Sequence, residues 1–301
     1  MKHIAVIGGI AADMEGRPFR PLIPSDSNPG AVAVSYGGVG RNIAENLQRM
    51  GGNRVSFLSA VGADAFGEAA VASLARSGAD PGGILRLPRE RTAIYLSILD
   101  EQGEMVLALS DMEILERITP QRVDAFAAGL REVSALALDA NLTEETLAFC
   151  ARRFSGRRLF VDPVSVEKAR RIRAILPGCF ALKPNRAEAA ALTGLELRSG
   201  EDLEAAGKFF LNQGVEMVFI SLGSEGLFYM DRSCRGRLAP PKADRVVSVT
   251  GAGDAMSAAI VDGIARDLDI RTIGCRAVRA AGLTLLVRET VDPDIGQQWG
   301  R

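Results

Sequence analysis

The sequence predicts an α/β fold: a mostly parallel central sheet with helices on both faces, and a small β-sheet lid beside it. Three observations predict it. Short apolar runs bounded by Gly, Asp or Pro alternate with longer amphipathic stretches. The 301 residues are 47% hydrophobic, enough to bury a sizeable core. Two regions, 17–36 and 92–109, break the alternation and fit poorly into a doubly wound sheet. The chain is expected to form one domain, 1–301, with the lid built from about 14–36 and 90–109.

In chain order, the apolar run 4–7 behind Met1-Lys2-His3 is the first buried strand, too short for a signal peptide. Amphipathic spacing predicts helices over 41–50 and 68–77. Residues 92–99 and 104–109 flank the turn Asp100-Glu101-Gln102-Gly103 and read as a hairpin. Runs at 135–138, 159–161, 179–182 and 218–221 read as buried strands. Helices over 144–153, 186–192 and 201–213 separate or follow them, and 254–266 and 272–287 close the chain.

Lys+Arg is 36 and Asp+Glu is 37, a balance that argues against a nucleic-acid surface. The four cysteines form no C-x-x-C pair and read as reduced thiols. No stretch approaches the ~20 apolar residues of a membrane span. A soluble, cytoplasmic protein is expected.

Four segments can carry chemistry. Val249-Thr250-Gly251-Ala252-Gly253-Asp254 runs small residues straight into an apolar helix, where free N–H groups and the dipole can hold a phosphate without a lysine. Asp254 could then accept a proton from an attacking hydroxyl; it could equally be a capping residue. Leu182-Lys183-Pro184-Asn185-Arg186-Ala187-Glu188 follows a strand and opens a helix. Asn185 and Glu188 could hold Mg²⁺ through its water shell, or form a plain capping box. Ser221-Leu222-Gly223-Ser224-Glu225-Gly226 offers two glycines for close approach to a nucleotide, or a hairpin turn. Gly37-Gly38-Val39-Gly40-Arg41-Asn42 precedes a helix but lacks the dinucleotide spacing, and no lysine-terminated P-loop occurs.

In this order and register the segments resemble the ribokinase-like (PfkB) family along nearly the whole chain. The stretch at Gly37-Gly38 resembles the family's first signature and 249–259 its second. The resemblance implies transfer of the ATP γ-phosphoryl group to a sugar hydroxyl, with Mg²⁺. It implies Asp254 as catalytic base and Gly251, Ala252 and Gly253 as anion hole. It implies Asn185 and Glu188 for Mg²⁺ and phosphate, and Ser221, Gly223 and Gly226 for the nucleotide. Asp13, Gly38 and Asn42 match sugar-holding positions, with Asn141 as a further sugar or base contact. Longer stretches, 37–51, Ser110-Asp111-Met112, Asp139-Ala140-Asn141-Leu142 and 160–165, are similar to the pseudouridine-kinase branch. That similarity implies a nucleoside acceptor phosphorylated at its 5′-hydroxyl. A free ring N–H of its base would bond to Asp111, Asn141 or a lid carbonyl.

Two positions depart from the family pattern. Ser248 stands where many members carry an Asp that helps bind K⁺, so charge for a cation is missing there. Arg279 stands where a small polar residue often flanks the adenine; Ala280, Ala281 and Thr284 continue that helix wall. Competing expectations are a ribokinase- or fructokinase-like sugar kinase, a non-catalytic nucleotide or sugar sensor, and a nicotinamide oxidoreductase. The absent dinucleotide fingerprint argues against the last. Partners are expected to be small molecules, and a homodimer through the lid would cover any apolar lid face.

Overall fold

The computed structural model describes residues 1–240 and 245–299. Thirteen strands occur among them: β1 (Lys2–Ile7), β2 (Ala11–Pro18), β3 (Gly30–Gly37), β4 (Asn53–Gly62), β5 (Ile84–Leu87), β6 (Ile94–Leu99), β7 (Met105–Asp111), β8 (Ala135–Asp139), β9 (Leu159–Asp162), β10 (Ala181–Leu182), β11 (Met217–Ser221), β12 (Leu227–Met230) and β13 (Arg235–Leu238). Nine form the main sheet in the order β13-β12-β11-β10-β9-β8-β1-β4-β5. Pairing is parallel from β11 through β5, and β12 and β13 add an antiparallel edge.

Both faces of this sheet are covered, which is why its central strands read as apolar runs rather than alternating ones. In β1, Ala5 and Ile7 pack with helices Glu144–Arg153, Arg186–Thr193 and Gly200–Asn212. Ile4 and Val6 point the other way, into the core made with helices Val39–Met50, Ala65–Arg76, Ala252–Ala265 and Ile270–Thr284. The predicted architecture is therefore present. Parallel register lines up the carboxyl ends of β1, β8, β9, β10 and β11, so Gly8, Asp139, Asp162, Lys183 and Ser221 fall along one edge. That edge is where open α/β sheets bind ligands.

A separate four-stranded sheet has the order β3-β2-β6-β7. The predicted hairpin is β6–β7, antiparallel, with Asp100 Oδ1 accepting from the N–H groups of Gln102 and Glu104 in the turn. Two rows of cross-strand neighbours share one face: Val32, Gly16, Ile98 and Leu107, then Val34, Met14, Leu96 and Leu109. Val32 is 74% exposed and Leu109 61%, so this face is apolar and open. Asp13 alternates to the opposite face.

Several expectations need correction. The longest strand, β4, does not stand out in the sequence because Ser56 and Ser59 interrupt its apolar run. Both are buried and bonded, Ser59 Oγ to the Gly8 carbonyl at 2.6 Å and Ser56 Oγ to His3 Nε2 at 3.0 Å. Of 179–182 only Ala181–Leu182 pairs, since a 3-10 helix runs to Gly178. The final long helix spans Ile270–Thr284, started by Asp269, whose side chain accepts from the Thr272 N–H. No helix among the described residues is long and apolar enough to cross a membrane.

Candidate active site

Helix Ala252–Ala265 begins behind Gly251, whose φ of 84° is left-handed. A Cβ at Gly251 would lie 1.8 Å from the Thr290 carbonyl oxygen, so only glycine fits. No side chain caps the helix, and its first N–H groups are available to an anion. Capping is thus not the role of Asp254, which lies inside the first turn. Its Oδ2 accepts a 2.8 Å hydrogen bond from Asn42 Nδ2 on the facing helix.

A network of buried charges surrounds that turn. Lys183 Nζ is 3.4 Å from Asp162 Oδ2, and both side chains are 6% exposed. Ser257 Oγ donates to the same carboxylate oxygen at 2.7 Å. Burial alone would lower the Lys183 pKa, but Asp162, Glu188 and Asp254 raise it, so the ammonium stays charged. Lys183 Nζ lies 3.9 Å from where a Cβ on Gly253 would stand. Asp254 is pushed up to about 7, first by burial and then by Asp162, against the Asn42 donor and the Lys183 charge.

Beside the turn lies a cavity of about 510 Å³. Ala252 and Gly253 form one wall, and Asn185, Ser221, Gly223 and Gly226 another. Asn185 and Ser221 are bridged directly. Gly226 has φ 91°, and a Cβ on it would meet the Leu238 carbonyl oxygen at 1.9 Å. The third wall is Val278, Ala281, Gly282 and Leu285. Ala280 is buried behind it and accepts from Thr284 Oγ1 at 3.1 Å. Arg279 is exposed and turned to the carbonyl of Gln298, so it does not line the cavity as its register with the family suggested.

Asn185 and Glu188 make a reciprocal capping box: Asn185 Oδ1 accepts from the Glu188 N–H and Glu188 Oε2 from the Asn185 N–H, each at 2.8 Å. The capping interpretation is thus realised, and Glu188 Oε1 remains outside it. Ser248 Oγ accepts from the Thr250 N–H at 3.2 Å.

On the far side of Asp254 stand the candidate sugar contacts. Gly38 has φ 95° and packs so closely that a Cβ would be 2.6 Å from the Gly9 carbonyl oxygen. Asp13 is raised to about 6 by burial, opposed by the Arg41 charge. Its Oδ2 is 2.0 Å from where a Cβ on Gly37 would stand, so a larger residue there would displace the Asp13 carboxylate. Asn141 Oδ1 is taken by Lys168 Nζ at 2.6 Å. Asp111 is held 3.2 Å from Arg91 by a surface ion pair.

Sequence reasoning missed three buried carriers of charge. Lys183 sits inside the segment whose chemistry is legible at Asn185 and Glu188, and no P-loop spacing marks it. Asp162 ends β9. Asp139, fully buried, accepts from the N–H groups of Gly9, Gly40 and Asn141 at 2.8, 2.7 and 2.9 Å. It thereby supplies the cap that Gly38 cannot give helix Val39–Met50. An acidic residue closing a buried strand was the available signal.

The sequence profile described as "pfkB family carbohydrate kinase" matches residues 1–295. A pseudouridine kinase of Escherichia coli is 35% identical over 97% of this chain and 93% of its own. The uncharacterized sugar kinase YeiI of the same organism is 32% identical over 93% of this chain and 79% of its own. A solved carbohydrate kinase from Agrobacterium tumefaciens superposes with a TM-score of 0.84 at 29% identity, covering 99% of this chain and 95% of that one.

Proposed function

The chain belongs to the pfkB family of carbohydrate kinases, and from that premise we propose that it transfers the ATP γ-phosphoryl group to the 5′-hydroxyl of pseudouridine. That it is a sugar or nucleoside kinase, a phosphotransferase with an alcohol acceptor, follows from the family. The observation that carries the reading is the Asp254 carboxyl beside an uncapped helix start, with a nucleotide-sized cavity on one side and Asn42 on the other. A sensor needs no base there.

In this reading ATP fills the cavity, and its terminal phosphates meet the N–H groups at Gly251, Ala252 and Gly253. Lys183 supplies the positive charge that a P-loop lysine supplies elsewhere. Asp254 takes the proton of the 5′-hydroxyl as the new O–P bond forms and the bond to the β-phosphate oxygen breaks, leaving ADP. Asn42 orients Asp254, and Asp13, Gly38 and Asn141 hold the ribose and base. With Asp111 and the Asn141 carbonyl oxygen engaged by Arg91 and Lys168, the acceptor for the free ring N–H of pseudouridine would be a backbone carbonyl of the small sheet.

No group of three or more His, Cys, Asp or Glu side chains among the described residues is arranged to hold a metal ion. The donors fit a hydrated Mg²⁺ instead: Glu188 keeps one oxygen outside its cap, and Asn185 lines the cavity. Bound with ATP, the ion would neutralise charge on the phosphates. The small sheet would act as a lid, and a second copy of the chain would cover its apolar face.

Support for pseudouridine over other acceptors is the 35% identity to the Escherichia coli pseudouridine kinase. The test is kcat/KM for pseudouridine, uridine, ribose and fructose under one condition. Pseudouridine should lead, and uridine should trail by roughly 5- to 150-fold, about 1–3 kcal/mol for one hydrogen bond. Ribose or fructose leading would make the protein a general sugar kinase.

A further inference from the structure

We propose that Arg41 is a positioning residue for phosphoryl transfer, which clamps the Asn42 amide so that its N–H face meets Asp254. The proposal rests on Asp254 being the base.

Arg41 is 5% exposed and Asn42 3%, both on the first turn of helix Val39–Met50. Arg41 Nη1 donates to Asn42 Oδ1 at 3.0 Å, and Asn42 Nδ2 donates onward to Asp254 Oδ2 at 2.8 Å. An amide has one accepting and one donating end. With a guanidinium fixed at the accepting end, the donating end has one direction left, and it is toward Asp254. The guanidinium itself cannot swing. Its Nη2 lies 2.5 Å from Glu45 Oε2, one helical turn on, and donates to Ser73 Oγ on helix Ala65–Arg76 at 3.1 Å. Arg49 holds Glu45 from the far side at 2.8 Å.

Packing does not explain this residue. The Arg41 Nε–H is buried without a hydrogen-bond partner, a desolvation cost that an aliphatic side chain would avoid. The planar fork is needed for three acceptors at once, which a lysine ammonium on a flexible stem does not hold in one geometry. The charge also acts on the acceptor side, since Arg41 opposes the rise of the Asp13 pKa. Charged groups around the guanidinium are Glu45, Arg49, Asp13 and Arg76. Asp162, Lys183 and Asp139 act on Asp254 from the ends of three strands, and Asn42 donates to it from the facing helix.

The test uses the full chain with the acceptor on which the wild type turns over fastest, so a wrong acceptor assignment leaves it intact. Arg41→Gln should lower kcat roughly 10- to 100-fold with KM for ATP unchanged, the scale of a misplaced reacting group. The acid limb of the kcat profile should move to higher pH, because the Asn42 donor holds the Asp254 pKa down. In an Asn42→Ala background, Arg41→Gln should cost less than twofold more, since its effect runs through that amide. Arg41→Lys, which keeps the charge and the fold, should stay closer to the glutamine variant than to the wild type. Multiplicative losses in the double variant, an unmoved acid limb, or full activity with lysine would each overturn the proposal. Turnover retained by Asp254→Asn would instead sink the base assignment, and this proposal with it.

Discussion

As the proposed base, Asp254 meets two opposed demands: it must be ionised to take a proton, yet it is crowded by burial and by Asp162. Its pKa of about 7 makes the rate climb through neutrality rather than near 4. Asp254→Asn should abolish nearly all turnover while ATP still binds, seen by assay beside nucleotide titration; a variant with most of the activity refutes the assignment. Stability adds an independent check. The folded state holds the Asp254 proton to about pH 7, whereas the unfolded chain releases it near the ordinary aspartate value of 3.8. The Asp254 contribution to stability therefore falls as pH rises between those values and is flat above. The Asn variant lacks that titration, so its Tm advantage should grow from pH 4 to pH 7. Asp254 was legible from the small residues before it. Its partners were not, because Asn42 and Asp162 lie 212 and 92 positions away, and no local spacing encodes such a meeting.

Helix Arg186–Thr193 opens on a capping pair for which a second purpose, contact with Mg²⁺, is proposed. The pair Asn185 and Glu188 was readable either as a cap or as a metal contact, and the capping box is present. Glu188→Gln separates the two roles. Glutamine completes a capping box as glutamate does, so Tm should hold, while the lost charge should raise the Mg²⁺ concentration for half-maximal rate several-fold. A Mg²⁺ titration that does not move would leave Glu188 the cap alone. Among strands, the apolar runs announced β1, β8 and β9 because both faces are buried. β4 escaped notice because its serines are satisfied by His3 on the neighbouring strand and by the Gly8 carbonyl just beyond that strand's end. Polarity in a buried strand is invisible as strand signal until the partner is known.

At the scale of the molecule, the small sheet sets Asp13 toward the site and turns Val32, Val34, Leu107 and Leu109 outward. An open apolar sheet face of that kind favours association, and the partner proposed for it is a second copy. Light scattering should find a dimer at micromolar concentration. Leu107→Lys with Leu109→Lys should yield monomers with an unchanged far-UV spectrum. A wild type that is monomeric throughout removes the dimer proposal.

Local chemistry determined much of this protein on its own. Burial on both faces wrote the parallel strands as apolar runs, and backbone requirements wrote Gly226 and Gly251 as glycines, since their φ angles and the carbonyls of Leu238 and Thr290 admit nothing larger. Such features constrain residue type at single positions, whichever element supplies the contact, so the residue types record them. The charge network was decided only by the tertiary structure. Lys183, Asp162, Asp139 and Arg41 are ordinary charged residues in sequence, and each acquires its role from desolvation and from partners supplied by other elements. Coulombic coupling and pKa depend on distance through the fold, and that distance exists only after the sheet has brought the strand ends side by side.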